Sequence, residues 1–316
     1  MKLHRIPRAR LVVVLALVAS AFCFVFREGR FAGAAADVER PAKKIFIVVD
    51  TEGFSGCVEY WARNIDPLDP RHREYRELMM GDINAAIEGC LAGGATEVVV
   101  SDDGFRGIQS IPELLHPQAK LIRGSGSGTG ALPLLYGVDE SFDGIIMVGL
   151  HAMEGSPRSC LAHTWSSVTP RRYWFNGKEG GELAAYAIVA GIDHDLPIIM
   201  VAGDQAACDE AQDLLGQEVV AVAVKQGINE HRAVLLAPKK ARQLITAGAK
   251  QAVEGLSRAN PYRPKMPLTI RLEISTKELA DSHEQSRRQK LSDWPARRVN
   301  DTTFEATVEN TKHIVL

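Results

Sequence analysis

Residues 46–56 read FIVVDTEGFSG and set two carboxylates, Asp50 and Glu52, two positions apart directly after an apolar run. In extended chain, positions i and i+2 point to the same side, so both carboxylates can reach one point. Gly53 and Gly56 behind them let backbone pack close. Like charges held together away from water are costly unless something positive sits between them. The pair therefore either faces water at a strand end or holds a cation. Three further side chains suit the same work. His151, in VGLHAMEG, follows an apolar run and precedes a Gly/Ser/Pro loop, where functional residues are commonly carried. His163, in SCLAHTWSS, lies in a polar loop, and Glu182, in GGELAAYA, opens a helix. Each has a plainer explanation: a solvated strand end, a structural or capping imidazole, a carboxylate drawn to a helix N-terminus by the dipole. As a set, two carboxylates at a strand end, another carboxylate and imidazoles make a hard oxygen- and nitrogen-rich group suited to zinc or manganese. A bridging carboxylate flanked by such ligands also holds two metals about 3.5–4 Å apart, to activate water and stabilise an oxyanion.

These residues need a scaffold that gathers them. IFIVV (45–49), TEVVVS (96–101), AKLIR (119–123), GIIMVGL (144–150), LPIIMVAG (196–203) and VVAVAV (219–224) read as strands. Residues 72–91 place Leu78, Met79, Ile83, Ala86 and Ile87 on one face of a helix, and 181–191 and 204–216 read as further helices. Apolar strands alternating with helices predict an α/β fold, a mostly parallel sheet with helices on both faces. Asp50, Asp102, His151 and Asp204 each fall at or just past a strand end, and parallel sheets place their sites at the carboxyl ends of strands. The expectation is that all four meet in one crevice.

YWFNGKEGG (173–181) carries an Asn-Gly hairpin signal. GSGSGTG (124–130) has the look of a phosphate loop, but no GK[ST] follows, so a flexible surface loop or flap is expected. After Lys225 the texture changes: 239–256 is an amphipathic helix, 268–274 and 304–310 are strand-like, and the polar stretch between them is expected as a surface loop or helix. The predicted plan is an α/β metal-binding domain over 41–235 and a smaller C-terminal α+β part over 236–316.

At 316 residues, 46% hydrophobic and 24% charged, the composition is that of an ordinary globular protein. The net charge of −2 conceals an asymmetry, because residues 1–36 carry six Lys/Arg and one Glu and leave 31 basic against 38 acidic residues elsewhere. That acidic remainder argues against nucleic acid as a partner. MKLHRIPRAR followed by the apolar run at 11–26 reads as a signal peptide or an N-terminal membrane anchor, with a small-residue cleavage site at Ala34–Ala36. Either outcome implies export, with membrane contact only through this segment. Cys57, Cys90, Cys160 and Cys208 show no paired CxxC spacing, so neither a disulfide scaffold nor a cysteine zinc site is expected.

VDTEGFSG, EVVVSD, LHPQAKLIRG, VGLHA, AHTW, GGEL, VAGD and VKQ occur in the order and approximate spacing of the DppA-type D-aminopeptidases. The chain resembles that family from about residue 44 to 235, with a weaker tail. The resemblance implies a di-zinc aminopeptidase, two zinc ions per subunit with manganese as an alternative, that removes N-terminal D-residues, notably D-alanine, from short peptides. It implies Asp50 as bridging metal ligand, Glu52, His151 and Glu182 as further metal ligands, His163 as the catalytic residue, and assembly as a decameric ring. One departure stands out. The family pattern after the second strand is N-D-x-H, with the histidine a ligand, whereas this chain has Ser101-Asp102-Asp103-Gly104. Glycine donates nothing, so either Asp103 substitutes or one metal site is weakened. Two other readings follow: a degenerate relative that binds peptides as a scaffold, and a DnaQ-like exonuclease, whose first D-x-E motif VVDTEG also resembles.

Overall fold

The computed structural model describes residues 43–102, 109–124, 132 and 135–316. The chain begins with β1 (Lys44–Val49), the short α1 (Trp61–Asn64) and the long α2 (Pro70–Ala92). Asp69 starts α2 by accepting a hydrogen bond from Arg71 N, with Pro70 supplying a pre-set φ in the first turn. β2 (Glu97–Asp102), β3 (Ala119–Arg123) and β4 (Gly144–Leu150) follow. β5 (Arg171–Phe175) and β6 (Lys178–Glu179) turn at Asn176 and Gly177, whose φ values of 49° and 83° are the left-handed pair a two-residue hairpin demands. Next come α3 (Glu182–Asp193), β7 (Ile198–Asp204), α4 (Gln205–Leu215), β8 (Val220–Asn229), β9 (Arg232–Leu235) and α5 (Pro238–Glu254). β10 (Leu268–Ile274), α6 (Lys277–Lys290), β11 (Arg297–Arg298) and β12 (Thr303–Val308) complete the chain.

Among the described residues, seven strands form a sheet in the order β3-β2-β1-β4-β7-β8-β9, parallel throughout except for β9. Both faces of this sheet are covered, which is why its strands are apolar without alternation. Ile45, Ile47 and Val49 of β1 pack with Met79, Ile83 and Ile87 of α2 and with Ala241 and Ile245 of α5. Phe46 and Val48 point the other way, into a cluster with α3 and with Ala207 and Ala211 of α4. Each such fully buried Ile or Phe contributes roughly 1.5–3 kcal/mol. The fold is thus the expected α/β sheet with helices on both faces.

A second, antiparallel sheet runs in the order β11-β12-β10-β5-β6. Its register sets Ile270 opposite Phe175 and Leu272 opposite Tyr173, so the middle of the chain and its C-terminal part share one sheet. α6 occupies part of the polar stretch that was open between loop and helix, and its Ala280 is buried in one cluster with Leu272 and Phe304. Residues 41–316 form one compact unit. The division expected after residue 235 is crossed twice, by α5 packing on the main sheet and by β5 pairing with β10. The expected leader (1–40), Asp103, Gly104 and most of GSGSGTG lie outside the described residues. Among the described residues no helix is long and apolar enough to cross a membrane.

Candidate metal centre

The end of β1 and the end of β4 are brought side by side by pairing and by the absence of side chains. Asp50 N donates to Val148 O (2.9 Å) and Gly53 N to Gly149 O (2.6 Å). A Cβ on Gly53 would stand 2.0 Å from Leu150 O, so only glycine permits this approach. Gly149, at φ 82°, lies where the register between β4 and β7 shifts, and this irregularity re-aims the next residues, His151 among them.

Around this junction four elements deliver five side chains. His151 Nε2 lies 3.4 Å from Asp50 Oδ2 and 3.6 Å from Glu182 Oε1, and His163 Nε2 lies 3.9 Å from Glu182 Oε1. The two imidazoles stack, with centroids 3.9 Å apart and planes 13° from parallel. Glu182 arrives on the first turn of α3, directly after β6, and its Oε1 accepts from Trp165 N at 2.7 Å. Glu52 is steadied by Thr51 Oγ1, which donates to its Oε2 at 2.7 Å. Ligand atoms of Asp50, Glu52 and His151 lie within 4.8 Å of one another, and those of His151, His163 and Glu182 do likewise, so His151 belongs to both sets.

The chemistry of these donors fits divalent cations. His151 Nδ1 contacts Ala152 O at 2.8 Å and His163 Nδ1 contacts Leu161 O at 2.9 Å. A carbonyl accepts only, so Nδ1 carries the hydrogen in both rings and each Nε2 turns toward the carboxylates, the orientation of a metal-ligating histidine. Asp50 Oδ1 accepts from Thr51 N, while Oδ2 is buried with no hydrogen-bond partner among the described residues. Such an orphaned carboxylate oxygen calls for a positive partner.

The titration directions say the same. Burial pushes Asp50 well above the ordinary aspartate range, and the charges of Glu52 and Glu182 add to this against the opposing pull of His151. Burial works against the charged form of Glu182 too, but His151, His163 and Trp165 N outweigh it and hold the carboxyl down at about 2. Burial likewise opposes charge on Glu52, and the two histidines overcome it and lower its value. For His151 burial is overcome by Asp50 and Glu182, which raise the imidazole to about 10. His163 is lowered by burial and by its stacked neighbour. Protons are thus favoured on Asp50 and His151 while Glu52 and Glu182 stay ionised, and divalent cations would compete with those protons for the same lone pairs.

The loop that carries both histidines is bound tightly. Asp204 caps α4 through Ala206 N and accepts from Cys160 N at 3.0 Å, and Glu210 accepts from Met153 N and Ser156 Oγ. Arg158, Leu161 and Trp165 adopt φ of 50°, 59° and 62°, uncommon for non-glycine residues. Two of these are used directly: Leu161 O orients His163, and Trp165 N holds Glu182. Strain of this kind gathers at functional sites.

Of the four strand-end groups expected to converge, Asp50 and His151 do so. The other two are turned to other donors: Asp204 as above, and Asp102 by accepting from Ser110 N and Oγ at 2.7 and 2.5 Å through Oδ2, its Oδ1 being buried with no hydrogen-bond partner among the described residues. A side chain on the last residue of a strand points as easily toward donors of a nearby loop or helix start as toward the crevice. Tyr60 was not singled out; its ring edge packs on His163 with centroids 5.7 Å apart. It forms a wall of a cavity of about 300 Å³ with Glu154, Ser156, Arg158 and Glu230. An isolated tyrosine before a short helix offers no periodicity that would flag it.

A family model described as D-aminopeptidase matches residues 43–314. A D-aminopeptidase of Bacillus subtilis is 32% identical over 221 residues, covering 70% of this chain and 77% of that protein. Among solved structures, a Zn-dependent D-aminopeptidase, DppA from Bacillus subtilis, described as a self-compartmentalizing protease, superposes with a TM-score of 0.75 at 28% identity, covering 85% of this chain and 93% of the other.

Proposed function

This chain belongs to the D-aminopeptidase family, and from that premise we propose that it is a metal-dependent aminopeptidase acting on short peptides with N-terminal D-residues. The observation that carries the reading is the convergence of carboxylates and an imidazole: His151 Nε2 lies 3.4 Å from Asp50 Oδ2 and 3.6 Å from Glu182 Oε1, and a Glu52 oxygen lies within 4.8 Å of the Asp50 and His151 donors. Bound there, zinc or manganese would polarise the scissile carbonyl and acidify a water molecule. Asp50 and Glu182 face the Nε2 atoms of the imidazoles and bring carboxylate oxygens to the point where a cation would sit. His163, the more peripheral of the stacked rings and in contact with Tyr60, stands where it can pass a proton to or from the reacting peptide.

The 300 Å³ cavity beside Tyr60 suits the peptide itself. Glu154 and Glu230 line it and present carboxylates to a free amino end, which favours removal of a terminal residue over internal cleavage. Arg158, on the same wall, suits a terminal carboxylate and so a short substrate. The chain is further proposed to self-associate. Ile228, Val234 and Leu235, 55, 60 and 40% exposed, leave apolar side chains on the β8–β9 hairpin at the sheet edge, and an exposed edge strand is a liability unless covered. The basic and apolar leader supports export.

Hydrolysis of D-Ala-D-Ala, L-Ala-L-Ala and a short oligonucleotide by the purified protein, before and after chelation and with zinc or manganese restored, tests the reading. Cleavage of the D-peptide that is lost on chelation and regained with metal is expected. Full turnover without metal, or metal-loaded protein that binds the D-peptide without cleaving it, would overturn it, the latter in favour of the scaffold. Nuclease activity instead would favour the DnaQ-like alternative.

A further inference from the structure

Lys225 is 3% exposed, and it is the buried lysine among the described residues. It lies in β8, next to the edge of the main sheet, on the strand partnering β7. Its Nζ donates to Glu52 O at 2.5 Å and to Cys57 O at 2.7 Å, and it forms no ion pair with a described carboxylate. The two acceptors are the ends of an irregular segment, residues 52–57, whose carbonyls have no strand or helix to satisfy them. The same segment is held from a second direction by Asp82, which accepts from Ser55 N and Oγ at 2.7 and 2.8 Å. Burying an ammonium is an expensive way to close a loop, even with the Asp82 carboxylate near enough to feel its charge. What distinguishes this loop is that its first residue is Glu52, with the side chain turned to Thr51 and the backbone carbonyl turned to Lys225.

We infer that Lys225 is a positioning residue for one half of the metal centre: it fixes the Glu52 backbone so that the Glu52 carboxylate stands beside Asp50 before any cation arrives. His151 and Glu182 reach the centre from the end of β4 and the start of α3, outside the 52–57 segment that Lys225 holds. This rests on the metal centre proposed above. It goes beyond that proposal by making the two cation sites unequal in their dependence on a residue that touches neither cation nor peptide.

The test is a zinc titration of the metal-free full chain, followed by calorimetry and by metal content after dialysis. It compares the wild type with Lys225→Met, Glu52→Gln and the double variant. Two binding steps are expected for the wild type. Lys225→Met should weaken one step about 10–100-fold, the range typical of groups that orient ligands, and leave the other within about threefold. Because Lys225 acts through Glu52, the double variant should bind no more weakly at that step than Glu52→Gln alone. Should Lys225→Met not fold, Lys225→Gln, which keeps an uncharged amide donor on a shorter side chain, should show the same one-sided loss. Unchanged affinities in a folded variant, equal weakening of both steps, or additive losses in the double variant would overturn the inference while leaving the peptidase reading intact. A wild type that binds no zinc would overturn both.

Discussion

Replacing Gly53 by alanine leaves every proposed ligand in place and alters only how closely the β1 end approaches the β4 end. The added methyl would stand 2.0 Å from Leu150 O, 2.3 Å from Leu150 C and 2.4 Å from Gly149 O. All three are backbone atoms, and contacts under 3.0 Å do not occur, so relief requires a shift of about 1 Å between the segments. One segment carries Asp50 and Glu52 and the other leads into His151, so the shift acts directly on the 3.4 Å approach of His151 Nε2 to Asp50 Oδ2. Overpacking of this kind costs about 1–3 kcal/mol of stability. A misplacement near 1 Å costs on the order of 100-fold in rate. Urea unfolding of the metal-free protein measures the first, and D-Ala-D-Ala turnover at saturating zinc measures the second. The expected outcome is a protein that folds, loses stability in that range and loses most of its turnover. Gly53→Ala with unchanged stability and turnover would refute the claim that this backbone contact sets the geometry of the site.

Glu182→Gln keeps the shape of the side chain and the acceptor for Trp165 N but removes a charge facing two imidazoles; metal content by mass spectrometry should fall by one ion per subunit, with turnover down at least ~100-fold. In the metal-free protein the raised His151 value means that its charged form stabilises the fold fully below the unfolded value near 6.5, and that this is lost as pH rises toward about 10; thermal melting of the apo-protein across that window should show the decline. By the same sign, zinc must displace the His151 proton at neutral pH, so calorimetry in buffers of different ionisation enthalpy should register proton release on binding. Glu230→Gln, which removes a carboxylate from the cavity but not from the metal centre, should raise KM for D-Ala-D-Ala about 3–10-fold with kcat little changed, since it weakens ground-state and transition-state binding alike.

Much of this was legible in the residues themselves. β3, β4 and β10 fall on the segments read from the sequence as strands, because each is an apolar or alternating run with clear breakers at both ends. Asp50, His151 and Glu182 were legible for a related reason: strand ends and helix starts are places that a one-dimensional pattern can locate. Less accessible was anything decided by pairing between distant segments. The partnership of β5 with β10 joins residues almost a hundred positions apart, and neither strand states which sheet it will enter. Lys225 reads as the first polar residue after an apolar strand, which ordinarily means the strand has reached water. Only the fold shows that its ammonium ends among carbonyls. Asp102 and Asp204 had the right position for the crevice, and local donors at Ser110 and at Cys160 and Ala206 claimed them.

The hairpin of β5 and β6 carries a consequence for where this protein can be cut. Glu182 begins its helix three residues after that hairpin ends, and the hairpin is stitched to strands contributed by the last fifty residues. A fragment stopping at Leu235 would keep every proposed ligand in its sequence, yet strip the neighbours of Tyr173 and Phe175 and leave the root of Glu182 unsupported. No minimal active piece is hidden in the first three quarters of the chain; the tail is part of the frame on which the glutamate hangs.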